Sequence, residues 1–320
     1  MIKHVLASLC AAAVLIATPA SAQYPDRPIK LVLPLPAGSA TDSVARVLAR
    51  SMERSLRQPI VIENRAGADG AIAAQAVARA EPDGYTLFFA TNSPMSAVPA
   101  MKREPGYDPT TDFTPISLVG RYSSFLWVNA DVPIRSLQEL IIFARANPGK
   151  LTYATGNTGG QVAMLQLLTL AGRLSLTHVP YRGEPAAIID VVSGRIPLMF
   201  ATPTTAGSFA KEGKLRALVT TLAQRSTAFP DVPTVHEAGL PGFSITLWAG
   251  IVGPAGMPAD IVRRLNEVVQ AAIRDPEVVQ SLQAQQFFGE ASTAADLRRM
   301  ITEQLEAYRV ALRGAGVEPN

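Results

Sequence analysis

Three short stretches of the chain gather small and hydroxyl-bearing residues where an apolar run ends. The first is Ala37, Gly38, Ser39, Ala40 and Thr41, followed by Asp42. The second is Thr91, Asn92 and Ser93, and the third is Thr155, Gly156, Asn157, Thr158, Gly159 and Gly160. None of the three contains Lys or Arg. The chemistry such residues can do is anion binding. Small side chains let a negative group approach the main chain, and the first N–H groups of a helix are unpaired and carry a partial positive charge. A carboxylate held there receives charge-assisted hydrogen bonds of about 1.5–3 kcal/mol each. Two or three at each end of a diacid supply about 8 kcal/mol after ordering costs, which is micromolar affinity. A tight turn also requires Gly and Ser after a strand, and Asp42 also reads as a helix N-cap. Binding and turn-making fit any one loop equally; three such loops in one chain favour binding.

Other chemistry is thinly represented. There is no G-x-G-x-x-G, no G-x-x-x-x-G-K-[ST] and no G-x-S-x-G. The one cysteine is Cys10, and the histidines are His4, His178 and His236. That inventory does not support a metal centre built on His or Cys, and no cofactor is expected. His178 falls in an apolar strand pattern and reads as a packed or surface histidine. His236, in "PTVHEAG", reads as a solvated helix position with Glu237 as a charged neighbour. Arg182 and Glu184, in "VPYRGE", read first as a loop ion pair, with contact to a ligand as the alternative. Asp190 sits in an apolar helix and faces either a cleft or solvent. Trp127 and Trp248 read first as core, with cleft lining as the alternative. Ser39 with Asp42 offers a nucleophile and an acid but no histidine base, so the chain does not read as an enzyme. An extracytoplasmic hydrolase is the least favoured alternative.

The elements that position these residues alternate between strand and helix. Ile29–Leu35 is an apolar strand, and Val44, Val47, Leu48, Met52 and Leu56 mark one face of a helix over 42–56. A strand at 60–62, a glycine loop leading into a helix through Ala80, and a strand in "DGYTLFFAT" complete a first unit. Short connections argue for a parallel sheet covered on both faces. The pattern restarts at a strand over Phe125–Asn129. Ser136 and Glu139 form a capping box, and the helix after it ends near Asn147-Pro148-Gly149. Strands at 151–154, "LTHVPY" and "IPLMFA" follow, with helices between them. The tail is mostly helical: one helix opens near Pro258 and stops at Asp275-Pro276, and a last one runs over 294–313, opened by Thr293. In parallel α/β sheets ligands sit beyond the carboxyl ends of the strands, which is where the three loops fall.

Residues 1–22 read as a cleavable secretory signal: Lys3, an apolar run from Val5 to Ala17, and Ala20-Ser21-Ala22 as the cleavage site. Cys10 is part of that run. Its removal leaves no thiol, and the loss of Lys3 takes the formal charge from +3 to +2, with 28 Lys and Arg against 26 Asp and Glu. That balance, without basic clusters interleaved with aromatics, does not point to nucleic acid. A mature chain of this length holds two domains with separate cores.

The blocks "YPDRPIKLVLPLPAGSATDSVAR", "VIENRAGADGAIAAQAVARAEPDGYTL", "VPYRGEPAAIIDVVSGRIPLMF", "GKLRALVTT", "RSTAFPDVPTVHEAGLPGF" and "GPAGMPADIVRRLN" resemble the Bug-type solute receptors of tripartite tricarboxylate transporters. The likeness covers the mature chain. It implies a type II periplasmic-binding-protein fold: α/β class, with two α/β lobes and a ligand cleft between them. Residues 23–124 with 225–320 would form lobe 1, and 125–224 lobe 2. It implies a periplasmic monomer that captures a small carboxylate and delivers it to membrane permease subunits, or alternatively presents it to a sensor kinase. Carried over onto this chain, the ligand-binding residues would be Ala37, Gly38, Ser39, Thr41 and Asp42, then Thr91, Asn92 and Ser93, then Thr155 to Gly160. Asp190 falls where the family usually has an acid. Ser39 and Asn157 stand where glycines are usual, Ala163 replaces a histidine, and Thr202 stands where an asparagine is frequent, so the cleft is altered.

Overall fold

The computed structural model describes residues 24–319. The signal-peptide reading, Cys10 and His4 lie outside them. In chain order the first run is β1 (Ile29–Leu33), α1 (Ala40–Leu56), β2 (Ile60–Asn64), α2 (Ala71–Ala78), β3 (Thr86–Thr91), α3 (Val98–Met101) and β4 (Phe113–Tyr122). The second run is β5 (Phe125–Asn129), α4 (Leu137–Ala146), β6 (Thr152–Thr155), α5 (Thr158–Leu170), β7 (Thr177–Pro180), α6 (Glu184–Val192), β8 (Leu198–Ala201), α7 (Pro203–Lys211) and β9 (Leu215–Thr220). The chain ends with β10 (Leu247–Pro254), α8 (Ala259–Arg274), α9 (Pro276–Ala284), β11 (Phe287–Gly289) and α10 (Ala294–Gly314).

Two sheets result. One has the order β11-β4-β10-β3-β1-β2, the other β7-β6-β8-β5-β9. Each carries a parallel block, β2-β1-β3 in the first and β7-β6-β8 in the second. Neither is wholly parallel, contrary to the sequence pattern. β10 runs antiparallel to β3 and β4, and β5 runs antiparallel to β8 and β9. The reason is the connectivity. A strand entering from the other sheet needs no crossover helix to set its direction. β4 leads through Ser123 and Ser124 into β5, and β9 leads back toward β10.

Helices form where apolar residues recur at helical spacing and polar residues cap the ends. α1 buries Val44, Ala45, Leu48, Ala49, Met52 and Leu56 against the first sheet, together with Leu265, Val268 and Val269 of α8. Each such fully buried Val or Leu contributes about 1.5–3 kcal/mol. The opposite face of that sheet is covered by α2 and by Leu297 and Ile301 of α10. In the second sheet α4 and α5 cover one face, and α6 and α7 the other. Trp127 and Trp248 are fully buried. The capping box is real in part: Ser136 Oγ accepts from Glu139 N at 3.1 Å, but Glu139 reaches back to Arg135 N.

α10 belongs to both cores. Leu297 and Ile301 pack on the first sheet, whereas Leu305, Tyr308, Ala311 and Leu312 pack into the core around α5. Leu305→Ala should therefore cost about 2–5 kcal/mol. Chemical denaturation followed by fluorescence and by circular dichroism should show one transition, lowered as a whole.

Candidate functional site

The loop after β1 is built by its own residues. Gly38 adopts φ 79°, and a Cβ added there would meet nothing within 4 Å, so space opens above it. Ser39 Oγ accepts from Asp42 N at 3.2 Å and caps α1. The Asp42 carboxylate turns back into the loop. It accepts from Gly38 N at 3.0 Å, Asn64 Nδ2 at 3.0 Å and Arg46 Nε at 2.9 Å. Asn64 also donates to Leu35 O, so the end of β2 ties down the loop after β1. Burial alone would raise the Asp42 pKa; the hydrogen bonds from Arg46, Gly38 and Asn64 outweigh it and hold the carboxyl below its usual range. Asp42 thus fastens the loop, and its oxygens are already used. Thr41 is buried under Tyr122, whose hydroxyl lies 3.2 Å from Thr41 Oγ1.

Beside this loop the chain ends of β1 and β3 converge on Gly70. A Cβ on Gly70 would lie 2.7 Å from Pro34 Cβ and 3.2 Å from Pro94. Thr91 and Asn92 are buried, and Asn92 Nδ2 donates to the Tyr308 hydroxyl at 3.0 Å. Ser93 Oγ is buried without a hydrogen-bond partner among the described residues. Asp69, just before Gly70, sits in the left-handed region at φ 53° and reaches across to the second lobe, where it accepts from Thr158 Oγ1.

On that second side, Asn157 caps α5, its Oδ1 accepting from Gly160 N at 2.8 Å. The side-chain cap reaches Gly160 only, which leaves the N–H groups of Thr158 and Gly159 without helical partners. Gly159 packs against the first lobe: an added Cβ would lie 2.3 Å from Asn92 Nδ2. Gly156 is as constrained, because a Cβ there would lie 2.2 Å from Glu184 N. Thr155 Oγ1 lies 2.6 Å from His178 Nε2, and His178 stacks on Tyr153 with ring centroids 5.1 Å apart. Burial pushes the His178 pKa below its ordinary value and favours the neutral ring. Thr202 N and Oγ1 both donate to Glu184 Oε2, at 3.0 and 2.9 Å.

The structure therefore brings Thr158 and Gly159 of one lobe against Asp69 and Asn92 of the other. Gly156, Asn157 and Thr202 cluster around Glu184, and Thr155 turns to His178. Ala37 and Gly38 stay exposed at the rim. Asp190 is not drawn into this group: its oxygens bond the Tyr181 hydroxyl at 2.6 Å and Arg195 at 2.7 Å. The Arg182–Glu184 ion pair is absent among the described residues; Glu184 is enclosed by hydroxyls and amides instead. His236 is exposed as expected, but in a run of turns rather than a helix, with Nε2 donating to Phe243 O at 2.7 Å. Sequence reasoning passed over Asn64 and Asp69 as members of the site and favoured an ion pair for Glu184. Asp69 and Glu184 share a signal, a polar residue in the loop after a strand and beside a glycine, whereas Asn64 ends β2 with no such neighbour.

Two α/β lobes linked by two strand crossings, with strand-end loops meeting between them, define the class of periplasmic binding proteins, of type II. Comparison with known proteins agrees. The sequence profile of the tripartite tricarboxylate transporter family receptors matches residues 44–316. Protein BugT of Bordetella pertussis is 33% identical over 306 residues, covering 95% of this chain and 94% of its own. An R. palustris protein solved with adipate superposes with a TM-score of 0.84 at 30% identity, over 93% of this chain and all of the other. MatC from Rhodopseudomonas palustris with bound malate superposes at 0.79 and 31% identity, over 90% of this chain and 100% of its own. This chain belongs to the tripartite tricarboxylate transporter receptor family, a family of ligand-binding receptors and not of enzymes.

Asp42→Asn should lower stability at neutral pH by about 1.5–3 kcal/mol, the range for a hydrogen bond to a charged group. The Asp42 pKa is depressed in the fold, so its contribution is present above the ordinary carboxylate range and lost as pH falls through the folded value. Denaturant midpoints of wild type and variant should differ at pH 7 and converge in strong acid.

Proposed function

We propose that this protein captures a small organic carboxylate in the cleft between its lobes and closes around it. The observation that carries the reading is the α5 tip, with two N–H groups left over by its cap, lying against Asn92 and beside the buried, unpartnered Ser93 hydroxyl. Groups from both lobes would contact the ligand, so occupancy favours the closed arrangement. The ligand contacts we assign are main-chain and hydroxyl groups of Ala37, Gly38, Ser39 and Ser93 in lobe 1 and of Thr155 to Gly160 in lobe 2. The relatives solved with adipate and malate support a carboxylate. We further propose that residues 1–22 direct export to the periplasm, that the mature protein is a monomer, and that its closed form docks on the permease subunits of a tripartite tricarboxylate transporter.

A thermal-shift screen of the mature protein against mono- and dicarboxylates tests the reading. Ligand at a hundred times its Kd stabilises by about 2.7 kcal/mol, so Tm should rise by about 4 °C for a chain of this size. No shift with any acid at millimolar concentration would sink the proposal. Gly159→Ala should keep the fold but hold the α5 tip off Asn92. Titration calorimetry should then show at least about a tenfold loss of affinity, and unchanged affinity would remove α5 from the site.

A further inference from the structure

Asp69 is an exposed acid whose one hydrogen bond crosses from the first lobe to the second. Its loop, between β2 and α2, runs Gly67, Ala68, Asp69, Gly70 at φ 130°, 46°, 53° and 90°. Ala68 and Asp69 thus hold the left-handed conformation that residues with a Cβ adopt only at a cost. The loop has little room to relax. Gly70 is wedged in, since an added Cβ would lie 2.7 Å from Pro34 and 3.2 Å from Pro94, and a Cβ on Gly67 would lie 2.8 Å from Ile72 Cδ1. The backbone so turned carries the Asp69 carboxylate to Thr158 Oγ1, which donates to it. Thr158 is buried, opens α5 and follows the Asn157 cap.

The place of this bond decides what it can do. Among the described residues it is the only hydrogen bond between residues 24–122 and residues 125–220. Other polar links between the lobes lie at the strand crossings. Thr204 Oγ1 donates to Gln285 O at 3.1 Å, and the next residue, Gln286, accepts from Ser123 N at 3.1 Å where β4 passes into β5. Gln166 Oε1 accepts from Ser244 N at 2.9 Å and Ile245 N at 3.0 Å, just before β10. The crossings are the pivot, and bonds there change little when the lobes turn. Asp69 and Thr158 belong to the strand-end loops that face each other, so their bond must break when the lobes part.

We infer that Asp69 is a latch on the cleft. Its bond to Thr158 closes the facing loops with the protein's own groups, so the lobes dwell closed and a ligand enters or leaves only when the latch opens. Asp69 acts as a positioning residue: it holds the α5 tip against the first lobe. Loss of the bond shifts the balance of closed and open forms by what the bond contributes to the closed form alone. The inference rests on the two-lobe cleft and on no particular ligand, so its failure and that of the carboxylate reading are separate results.

The test is the distance between nitroxide labels across the cleft, measured by double electron–electron resonance on protein without ligand. A chain begun at residue 23 holds no cysteine, because Cys10 is the only one in the sequence. Arg79→Cys and Arg182→Cys therefore take the labels alone; both positions are exposed, one on each lobe. In this background a short distance should dominate. Asp69→Gly removes the acceptor and suits the positive φ, so Tm should hold or rise while the ratio of open to closed molecules rises at least about fivefold, the effect of one hydrogen bond. Asp69→Asn keeps an acceptor and should keep the short distance. Thr158→Val removes the donor and should open the cleft as Asp69→Gly does, and the double variant should open it no further than either alone. A background already dominated by the long distance overturns the inference. So does an unchanged distribution in Asp69→Gly, with or without a fall in Tm, and so do effects of the two substitutions that simply multiply.

Discussion

The closeness of Gly159 to Asn92 is the constraint on which the rest depends. A helix tip from one lobe touches a strand-end loop of the other only because one residue lacks a side chain. The position of that tip is set from below by β6 pairing with β7 and β8, and from the flank by α10. The position of Asn92 is set by β3 and by its bond to Tyr308. Both partners are held by elements that are themselves core, so the cleft has little slack where the lobes meet. Gly156 repeats the device one turn earlier, where it lets α6 begin beside β6.

The electrostatics of the cleft are unusual for the carboxylate-binding role we propose. The loops supply no cation, and three acids of the chain stand near them. Each acid is tied down. Asp42 is spent on its own loop, Asp69 on Thr158, and Glu184 on Thr202 and Thr205. Attraction is left to N–H groups and hydroxyls, which act at contact distance and need water excluded. A site of this kind selects by fit rather than by long-range pull. In the proposed role it would also let the ligand go when the lobes part and water returns.

Much of this was legible in the residues. Small polar loops at strand ends, helical periodicity and the block order of the chain led to the lobes, the loops and the family. What escaped did so for physical reasons. β4 carries Pro115 and Gly120, and β10 carries Gly250 and Gly253, so neither reads as a clean apolar run. Their antiparallel placement comes from partners more than a hundred residues away, which no local pattern encodes. Glu184 looked like half of an ion pair because Arg182 is its neighbour in sequence. Its real partners, Thr202 and Thr205, are brought to it by β8 and α7. Asp69 lies in the stretch read only as a glycine loop, and the tertiary fold alone carries it to the other lobe.

α10 lies along both cores, with its first turns on one sheet and its later turns on the other. A helix bends little. It therefore acts as a splint across the gap, and the halves of the molecule cannot simply hinge apart like a book. They must either swivel about the long axis of that splint or peel Leu305 through Leu312 from the surface beneath. In the proposed role the path to an open receptor is thus written into the far end of the chain, whose Tyr308 also holds Asn92 beside the cleft.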